Sequence, residues 1–527
     1  MSQKEKKTAD SVMKSAGILV FTTLISSLLG YARNIIIPAL FGKGIESDAY
    51  FAAFTIPDYV YTLLVGGALS SAFIPVFSSY LAKDEDEKGY RMASTIITLV
   101  TLLAAVLCII GLIFTPQLVR ILVKFEEDAF ELTVKLTRIM FGQCFFMCLT
   151  GLSQGILQSY KRFTPPAMGG ICYNICIIFG GVLISRVLGH GIAGFSLAVV
   201  IGALVNLTIQ IPFVLKQGFK FKPVIDLHHP GVKKFIRLLI PVIIGQSVME
   251  INLIVNQRFA SGLEGGTVTL MKQAQTVIQL PIRIFAMQIA LSVFPTLTGY
   301  FANEKKKEFI DTFSGCLRTV LFIIIPIVAG MIALRVPLIR VMYKTGKFGE
   351  EDVQALAYLL MIYTIGITAY SVREVMIRGF YATKNTDTPV AINIFIMLLN
   401  TLLSFLLVKP LGVTGLALAY VLAGFTSMTL LTFFFRRSVG SIQGRKILVS
   451  LLKIVLSAGA MFAALYFLTP VVEKYMGDGR KVTQLIELVI LFGVGVIVYF
   501  VMAFLLRTPE LTDFITFVKR KFLKRKA

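Results

Sequence analysis

A few charged side chains lie inside long apolar segments, and their chemistry is the most specific feature of this chain. Arg33 lies in the run L-I-S-S-L-L-G-Y-A-R-N-I-I-I-P-A-L-F-G, and Asp48 stands at the start of the next apolar run. Hydrocarbon cannot solvate a guanidinium, so an arginine at this depth usually faces a polar cavity. Its planar fork binds phosphate oxygens through paired N–H donors. The pattern predicts a phosphate site around Arg33, unless the side chain only reaches the lipid headgroups.

A second group of polar residues lies in the segment G-Q-S-V-M-E-I-N-L-I-V-N-Q-R, which ends at Arg258. Glu250 and Arg258 are two helical turns apart and share roughly one face, with Asn252 between them. The next predicted helix carries Arg283, which has no acidic residue within one turn. Unpaired arginines that face a cavity suit a doubly negative phosphate ligand. The alternative is that such charges form internal ion pairs that only hold helices together.

The sequence contains no motif that indicates an enzyme active site. It contains no G-x-x-x-x-G-K-[ST] phosphate loop, and its histidines lie in predicted loops: His190, His228 and His229. Cys144 and Cys148 are four residues apart in an apolar run without histidine or acid, which favours packing as small hydrophobic side chains. We therefore expect a secondary transporter, driven by membrane potential or an ion gradient, without a cofactor or a firmly predicted metal site.

Long apolar runs must position these residues. Of 527 residues, 56% are hydrophobic and only 15% are charged, whereas soluble proteins carry about a quarter. Charge-free runs of about one membrane span recur at 92–115, 163–185, 388–408, 410–435, 454–472 and 488–506. The predicted fold is an all-α polytopic membrane protein with about 14 transmembrane helices, two of them beginning near residues 388 and 411.

The net charge of +23 is distributed in short segments between the apolar runs. Basic residues fill every second loop, the pattern of positive-inside orientation, so both termini are predicted to be cytoplasmic. This placement suits anionic membrane lipids as partners and argues against nucleic acid. Segment 335–347 fits less well because it is predicted to be external and yet holds four basic residues: Arg335, Arg340, Lys344 and Lys347.

An internal repeat divides most of the chain into two halves. Pro75 and Tyr80 recur as Pro295 and Tyr300, 220 positions on, within similar ten-residue blocks. Six predicted helices fill each period, so the two lobes point the same way across the membrane. Such lobes are typical of alternating access, with the substrate between them. The predicted domains are an N-terminal lobe (1–215), a basic cytoplasmic linker (216–233), a C-terminal lobe (234–437), and two further helices with a basic tail (438–527).

Several sequence blocks resemble the MurJ-type lipid II flippases of the multidrug/oligosaccharidyl-lipid/polysaccharide exporter superfamily, over nearly the whole chain. The blocks are L-L-G-Y-A-R (28–33), F-G-K-G-I-E-S-D-A-Y-F-A-A-F-T-I-P (41–57), G-A-L-S-S-A-F-I-P (67–75), Y-K-T-G-K-F (343–348) and G-F-Y-A-T-K-N-T-D-T-P (379–389). The resemblance implies two six-helix lobes in a V, plus two helices whose groove accommodates a polyprenyl tail. It also implies export of an undecaprenyl-pyrophosphate-linked peptidoglycan precursor across the bacterial plasma membrane. Arg33 and Asp48 carry over as functional positions.

The chain departs from the family's pattern at several charged positions. Related sequences commonly have arginine where Ser27 stands and another near Tyr61, and the block A-Q-T-V-I-Q-L-P (274–281) lacks two expected charges. Our hypothesis is that Arg258 and Arg283 replace the missing positive charge. Some members have a sodium site, to which four residues here are weak matches: Glu250, Asn252, Asn385 and Thr401. The coupling ion, Na⁺ or H⁺, stays open.

The sequence thus predicts a lipid II flippase that moves its substrate from the inner to the outer leaflet by alternating access. The expected substrate-binding residues are Arg33, Asp48, Arg258 and Arg283. Cell-wall synthesis or division proteins are expected as further partners. Three alternatives remain: a flippase for another polyprenyl-linked polysaccharide unit, a MATE-like drug or cation antiporter, and a non-transporting scaffold of cell-wall assembly.

Overall fold

The structure is a computed structural model that describes residues 22, 25–66, 69–476 and 480–512. Regular structure in these ranges is entirely helical, which confirms the predicted fold class. The chain forms two compact units, Met1–Thr269 and Leu270–Ala527. The start of the helix predicted near residue 16, the first basic segment and the basic tail lie outside the described residues. The predicted lobe and linker boundaries stay a prediction.

The first unit contains nine helices in the part of the chain that is described. They are α1 (Ile25–Phe41), α2 (Ile45–Ala53), α3 (Thr55–Tyr61), α4 (Ile74–Leu81), α5 (Asp86–Leu122), α6 (Glu127–Ser159), α7 (Thr164–Ile175), α8 (Ile192–Lys216) and α9 (Pro230–Ala260). Wider π-helical turns occur at Thr62–Gly66, Leu69–Phe73, Cys176–Gly180 and Leu183–Val187. Such turns are frequent at functional positions within longer helices.

Helix α6 packs closely on the segment that links α3 to α4. A Cβ added at Gly151 would overlap Val65, and one at Gly155 would overlap Leu69 and Phe73. Gly151 and Gly155 therefore allow this close helix approach. Cys144 and Cys148 are fully buried in the adjacent apolar core, where they pack as small side chains.

Residues 217–229 are docked onto the first unit rather than standing away from it. Phe219 is buried with its ring 6.3 Å from that of Phe77 and 5.4 Å from that of Tyr90. The amide of Lys222 donates to Ser94 Oγ at 3.3 Å, and Arg91 pairs with Asp226 at 2.8 Å. These contacts hold the N-terminus of α9 against α4 and α5.

The second unit contains eight helices within the described ranges. They are α10 (Thr267–Pro281, which starts at the end of the first unit), α11 (Met287–Ala302), α12 (Lys306–Ala333), α13 (Arg335–Tyr343), α14 (Glu350–Ala382), α15 (Asp387–Val439), α16 (Gly444–Met476) and α17 (Lys481–Leu505). A π-helical turn, Ile282–Ala286, joins α10 to α11. At 53 residues α15 would be about 80 Å long if straight, but it kinks at Gly412, which has φ 56°. Two spans were predicted to begin near residues 388 and 411, in agreement with this kink.

Ten of the described helical segments are long and apolar enough to cross a membrane. They are the segments Asp86–Leu122, Glu127–Ser159, Thr164–Val187, Ile192–Lys216, Thr267–Ala302, Lys306–Ala333, Glu350–Ala382, Asp387–Val439, Gly444–Met476 and Lys481–Leu505. Many of their outward-facing side chains are exposed leucine, isoleucine, valine and phenylalanine, as lipid contact requires. The chain is a multi-pass membrane protein.

The C-terminal helix pair α16–α17 is fastened to the second unit near both of its ends. Arg340 of α13 pairs with Glu473 of α16 at 2.7 Å, and Lys481 Nζ donates to the Arg340 carbonyl at 3.3 Å. Towards the other end, Arg318 pairs with Glu510 at 3.0 Å, and Tyr499 Oη donates to the Phe322 carbonyl at 2.7 Å. The pair is therefore a fixed part of this unit.

We expect Arg340→Met to lower the free energy of unfolding by about 1 kcal/mol, because a half-exposed ion-pair network loses its shared cation. Thermal unfolding of the purified protein would measure this loss. The matched change Lys347→Met alters a neighbouring exposed cation that forms no ion pair within the described ranges, and it should have little effect. Equal stability of both variants would contradict the fastening role of Arg340.

Candidate functional site

Arg33 lies half-buried on α1 between two aromatic rings. Its Cζ is 6.0 Å from the ring centroid of Phe54 and 6.0 Å from that of Tyr173. Its Nε and Nη2 each lie 3.4 Å from Asn34 Oδ1. Among the described residues it forms no salt bridge with a carboxylate. The guanidinium is therefore held by ring faces, and most of its donors stay available to an anion.

Contacts between α1 and α7 place Tyr173 beside Arg33. Asn174 Nδ2 donates to the Ser26 carbonyl at 3.3 Å, and a Cβ added at Gly30 would lie 3.7 Å from Asn174 Oδ1. Gly30 is one turn before Arg33, so the same α1 face carries both residues. Asn174 thus packs against the α1 face that carries Arg33, and this contact holds the neighbouring Tyr173 at the site.

Tyr50 of α2 completes the wall of this site. Its ring is T-shaped against Phe54, with centroids 5.2 Å apart, and against Phe195 at 6.4 Å. Arg33, Tyr173 and Asp58 are the ionisable groups that interact with it electrostatically. We refer to these five residues as the Arg33 site: Arg33, Tyr50, Phe54, Asp58 and Tyr173.

Sequence reasoning identified Arg33 but missed the other four members of the site. Asp58 gives a detectable signal, because it is an acid inside an apolar stretch ten residues after Asp48. Tyr50, Phe54 and Tyr173 give none, since aromatic side chains in apolar runs are usually core residues. Only the packing of three separate helices identifies them.

Asp48 is buried and binds the turn that precedes α10. Its Oδ2 accepts from the Gly266 amide at 2.7 Å, and its Oδ1 accepts from the Thr269 amide at 2.7 Å and the Thr269 hydroxyl at 2.6 Å. A carboxylate in this position accepts hydrogen bonds from otherwise unpaired amides. Its negative charge also interacts favourably with the positive end of the helix dipole. Gly266 has φ 92°, a conformation that favours glycine. Asp48 therefore acts here as a cap, and its predicted contact with substrate stays a prediction.

Arg258 lies at the end of α9, where it binds the end of α5. Its Nη1 donates to the carbonyls of Arg120 and Ile121 at 2.7 and 2.6 Å. Nearby, the Lys124 amide donates to Ser261 Oγ at 2.9 Å. A cation at a helix C-terminus donates to free carbonyls and interacts favourably with the negative end of the helix dipole. One guanidinium nitrogen is thus used structurally, and substrate binding by Arg258 stays a prediction.

The predicted coupling residues are spread over separate places. On α9, Asn252 accepts from Asn256 Nδ2 at 2.9 Å, and Glu250 is half-buried. In the second unit, Asn385 Oδ1 accepts from the Thr388 amide at 3.2 Å, before the first turn of α15. Thr401 is 13 residues further along that helix, about 20 Å away. Asn385 and Thr401 therefore cannot ligate one ion together.

Two further observations concern the residues predicted to bind substrate or a coupling ion. Arg283 is exposed on the π-helical turn Ile282–Ala286, and its guanidinium makes no hydrogen bond or ion pair within the described ranges. Those ranges also contain no group of three or more His, Cys, Asp or Glu that could hold a metal ion. Roles for Arg283 in substrate binding and for Glu250, Asn252, Asn385 or Thr401 in ion coupling stay predictions.

Comparison with known proteins identifies the family. The family described as "Lipid II flippase MurJ" matches residues 37–486. The chain belongs to this family. A "Probable lipid II flippase MurJ" of Bdellovibrio bacteriovorus is 28% identical over 513 residues, which cover 96% of this chain and 97% of that protein. The "Lipid II flippase MurJ" of Burkholderia cenocepacia is 27% identical, covering 75% of this chain and 78% of the relative.

Solved structures agree with this assignment. A structure titled "Lipid II flippase MurJ, inward closed conformation" superposes with a TM-score of 0.76 at 26% identity, and covers 93% of this chain and 98% of that chain. An inward-facing multidrug resistance MATE family transporter of the MOP superfamily matches with a TM-score of 0.68 at 15% identity, covering 80% of this chain and 96% of that one. The similarity to the MATE family transporter concerns the fold alone. The suspected family resemblance is confirmed.

We expect Asp48→Ala to lower the free energy of unfolding by about 2 kcal/mol, because three buried donors around α10 lose their acceptor. Thermal unfolding of the purified protein would measure the loss. Asp48→Asn should cost less, since its amide oxygen still accepts. The control is Glu46→Gln, which removes a half-buried carboxylate from the same first turn. A loss as large in the control would show that the capping bonds do not matter.

Proposed function

We propose that this chain moves lipid II from the inner to the outer leaflet of the bacterial plasma membrane by alternating access. Support comes from one observation above all: a half-buried arginine in an apolar helix, held by aromatic rings and without a salt bridge to a carboxylate among the described residues. Keeping such a cation unpaired is costly, so a ligand anion is its natural partner. Family membership gives that anion as the pyrophosphate of a lipid-linked precursor.

Transport of this kind needs a polar path because a pyrophosphate-sugar headgroup cannot cross hydrocarbon unaided. With the cytoplasm electrically negative, outward movement of an anion is favoured by roughly 2.3 kcal/mol per charge per 100 mV. We propose membrane potential as the main driving force, with Na⁺ or H⁺ as a coupling ion. Both termini are proposed to be cytoplasmic, which puts the Asp48 cap of α10 on the outer side.

The Asp48 cap holds the turn at 266–269 to α2 within the first unit. Release of that turn must break three hydrogen bonds to one buried carboxylate. Such a compact set breaks as a unit, which favours two discrete states of the turn over a continuum.

A second candidate function is the export of another polyprenyl-linked polysaccharide unit. It is favoured by one observation: this chain lacks the arginines that related sequences have at position 27 and near position 61. A cation antiporter on the MATE fold is less suited, since an unpaired arginine repels a cationic substrate.

Rescue of a bacterium depleted of its own lipid II flippase tests the proposed function. The chain should restore growth and display lipid II on the outer surface, measured by labelling of externally accessible lipid II. Arg33→Ala should abolish rescue, and Arg33→Lys should restore only part of it, because an ammonium keeps the charge but loses the planar fork. Absence of rescue by well-expressed wild-type protein would favour the polysaccharide substrate instead.

The compensation hypothesis for Arg258 and Arg283 has a separate test. We expect Arg258→Ala and Arg283→Ala each to weaken rescue, with a larger loss in the double variant. Arg258→Ala should also lower thermal stability, because the end of α5 loses a donor, whereas Arg283→Ala should not. Full activity of the double variant would eliminate both arginines as substitutes for the missing charges.

A further inference from the structure

The hydroxyl of Tyr50, a member of the Arg33 site, is a buried polar group that lacks a hydrogen-bond partner in the described part of the chain. The residue is 2% exposed, and its hydroxyl makes no hydrogen bond with the described protein. Leaving a buried donor unpaired costs roughly 1–3 kcal/mol, so native proteins seldom do so without a reason. Phenylalanine would fill the same apolar surroundings without this cost.

The surroundings of Tyr50 point to an anion as the missing partner. The Phe54 ring contacts both the Tyr50 ring, at 5.2 Å between centroids, and the Arg33 guanidinium, at 6.0 Å. Tyr173 contacts Arg33 from the α7 side. The Phe54 ring therefore links Tyr50 to the guanidinium, and Arg33 is a cation that interacts with Tyr50 electrostatically.

We propose that the Tyr50 hydroxyl is a ligand-binding group, which donates to a phosphate oxygen of the diphosphate that Arg33 binds. A bond from a neutral O–H to an ionised oxygen is short and about twice as strong as one between neutral groups. The inference rests on the proposed function, because the diphosphate is the anion of that substrate.

Asp58 is the one acid of the site and opposes an anion there. Its side chain is exposed, whereas Tyr50 is buried. Water therefore screens the repulsion between Asp58 and a bound phosphate more strongly than it screens the attraction within the buried part of the site.

Binding of undecaprenyl pyrophosphate to the full-length protein in lipid nanodiscs tests the proposal. Tyr50→Phe removes a single oxygen and fills the same space. We expect it to weaken binding about tenfold while the melting temperature stays the same or rises, because an unsatisfied buried group disappears. A purely packing role predicts unchanged binding instead, and that result would overturn the proposal.

Tyr499→Phe is the matched control, because it removes a buried hydroxyl that already has a protein partner, the Phe322 carbonyl. It should lower the melting temperature and leave the binding of undecaprenyl pyrophosphate unchanged. A double-mutant cycle of Tyr50→Phe with Arg33→Lys adds a readout that packing would not move. We expect non-additive losses in binding, since both groups contact one ligand. Additive losses would count against a shared phosphate.

Failure of this inference and failure of the proposed function give different results. If the wild-type protein binds undecaprenyl pyrophosphate and rescues growth while Tyr50→Phe binds equally well, only the role of Tyr50 is wrong. If the wild-type protein binds the diphosphate but does not rescue, the lipid II substrate is wrong, and the effect of Tyr50→Phe on binding still decides the inference. If the wild-type protein does not bind the diphosphate, both are wrong.

Discussion

The cost of an unsolvated charge governs where this chain places its ionised side chains. Arg340, at the end of an apolar bundle, is surrounded by two carboxylates, and Asp48 is surrounded by donors from one turn. Arg258 is directed at free helix carbonyls. Each of these groups has a partner that replaces water. Arg33 differs from them because ring faces hold it in place and it has no salt bridge to a carboxylate in the part of the chain that is described, so its remaining solvation must come from water or a ligand.

The same rule explains why basic residues occur in a segment predicted to be external. Arg340 and Lys344 of segment 335–347 both pair with Glu350, at 2.7 and 2.8 Å, and Arg340 pairs with Glu473 as well. Orientation rules count the positive charge of a loop, yet these charges are neutralised locally in the fold. The segment therefore carries an ion-pair network that fastens the C-terminal helix pair, and two of its four basic residues, Arg340 and Lys344, serve that packing.

Much of the fold could be predicted from the sequence, because membrane helices depend on local composition. Runs without charge indicated the membrane spans, and two predicted helix starts near 388 and 411 correspond to the kink at Gly412. The site could be predicted only in part. Arg33 is conspicuous in its own segment, whereas the partners of Asp48 lie 218 and 221 residues away. Pairings at that separation depend on tertiary packing, which no local pattern encodes.

A site whose anion donors are one arginine and neutral hydroxyls, with its acid Asp58 exposed, has a physical advantage for a transporter. Two guanidinium groups about 6 Å apart would repel by roughly 3 kcal/mol at an effective dielectric constant of 20. This repulsion would strain the empty site after each release of substrate, and acids would be needed nearby to relieve it. Hydroxyls such as those of Tyr50 and Tyr173 strengthen the binding of an anion without adding charge. The empty site then changes its opening from one side of the membrane to the other with a single arginine to solvate. A smaller number of arginines therefore does not imply slower transport.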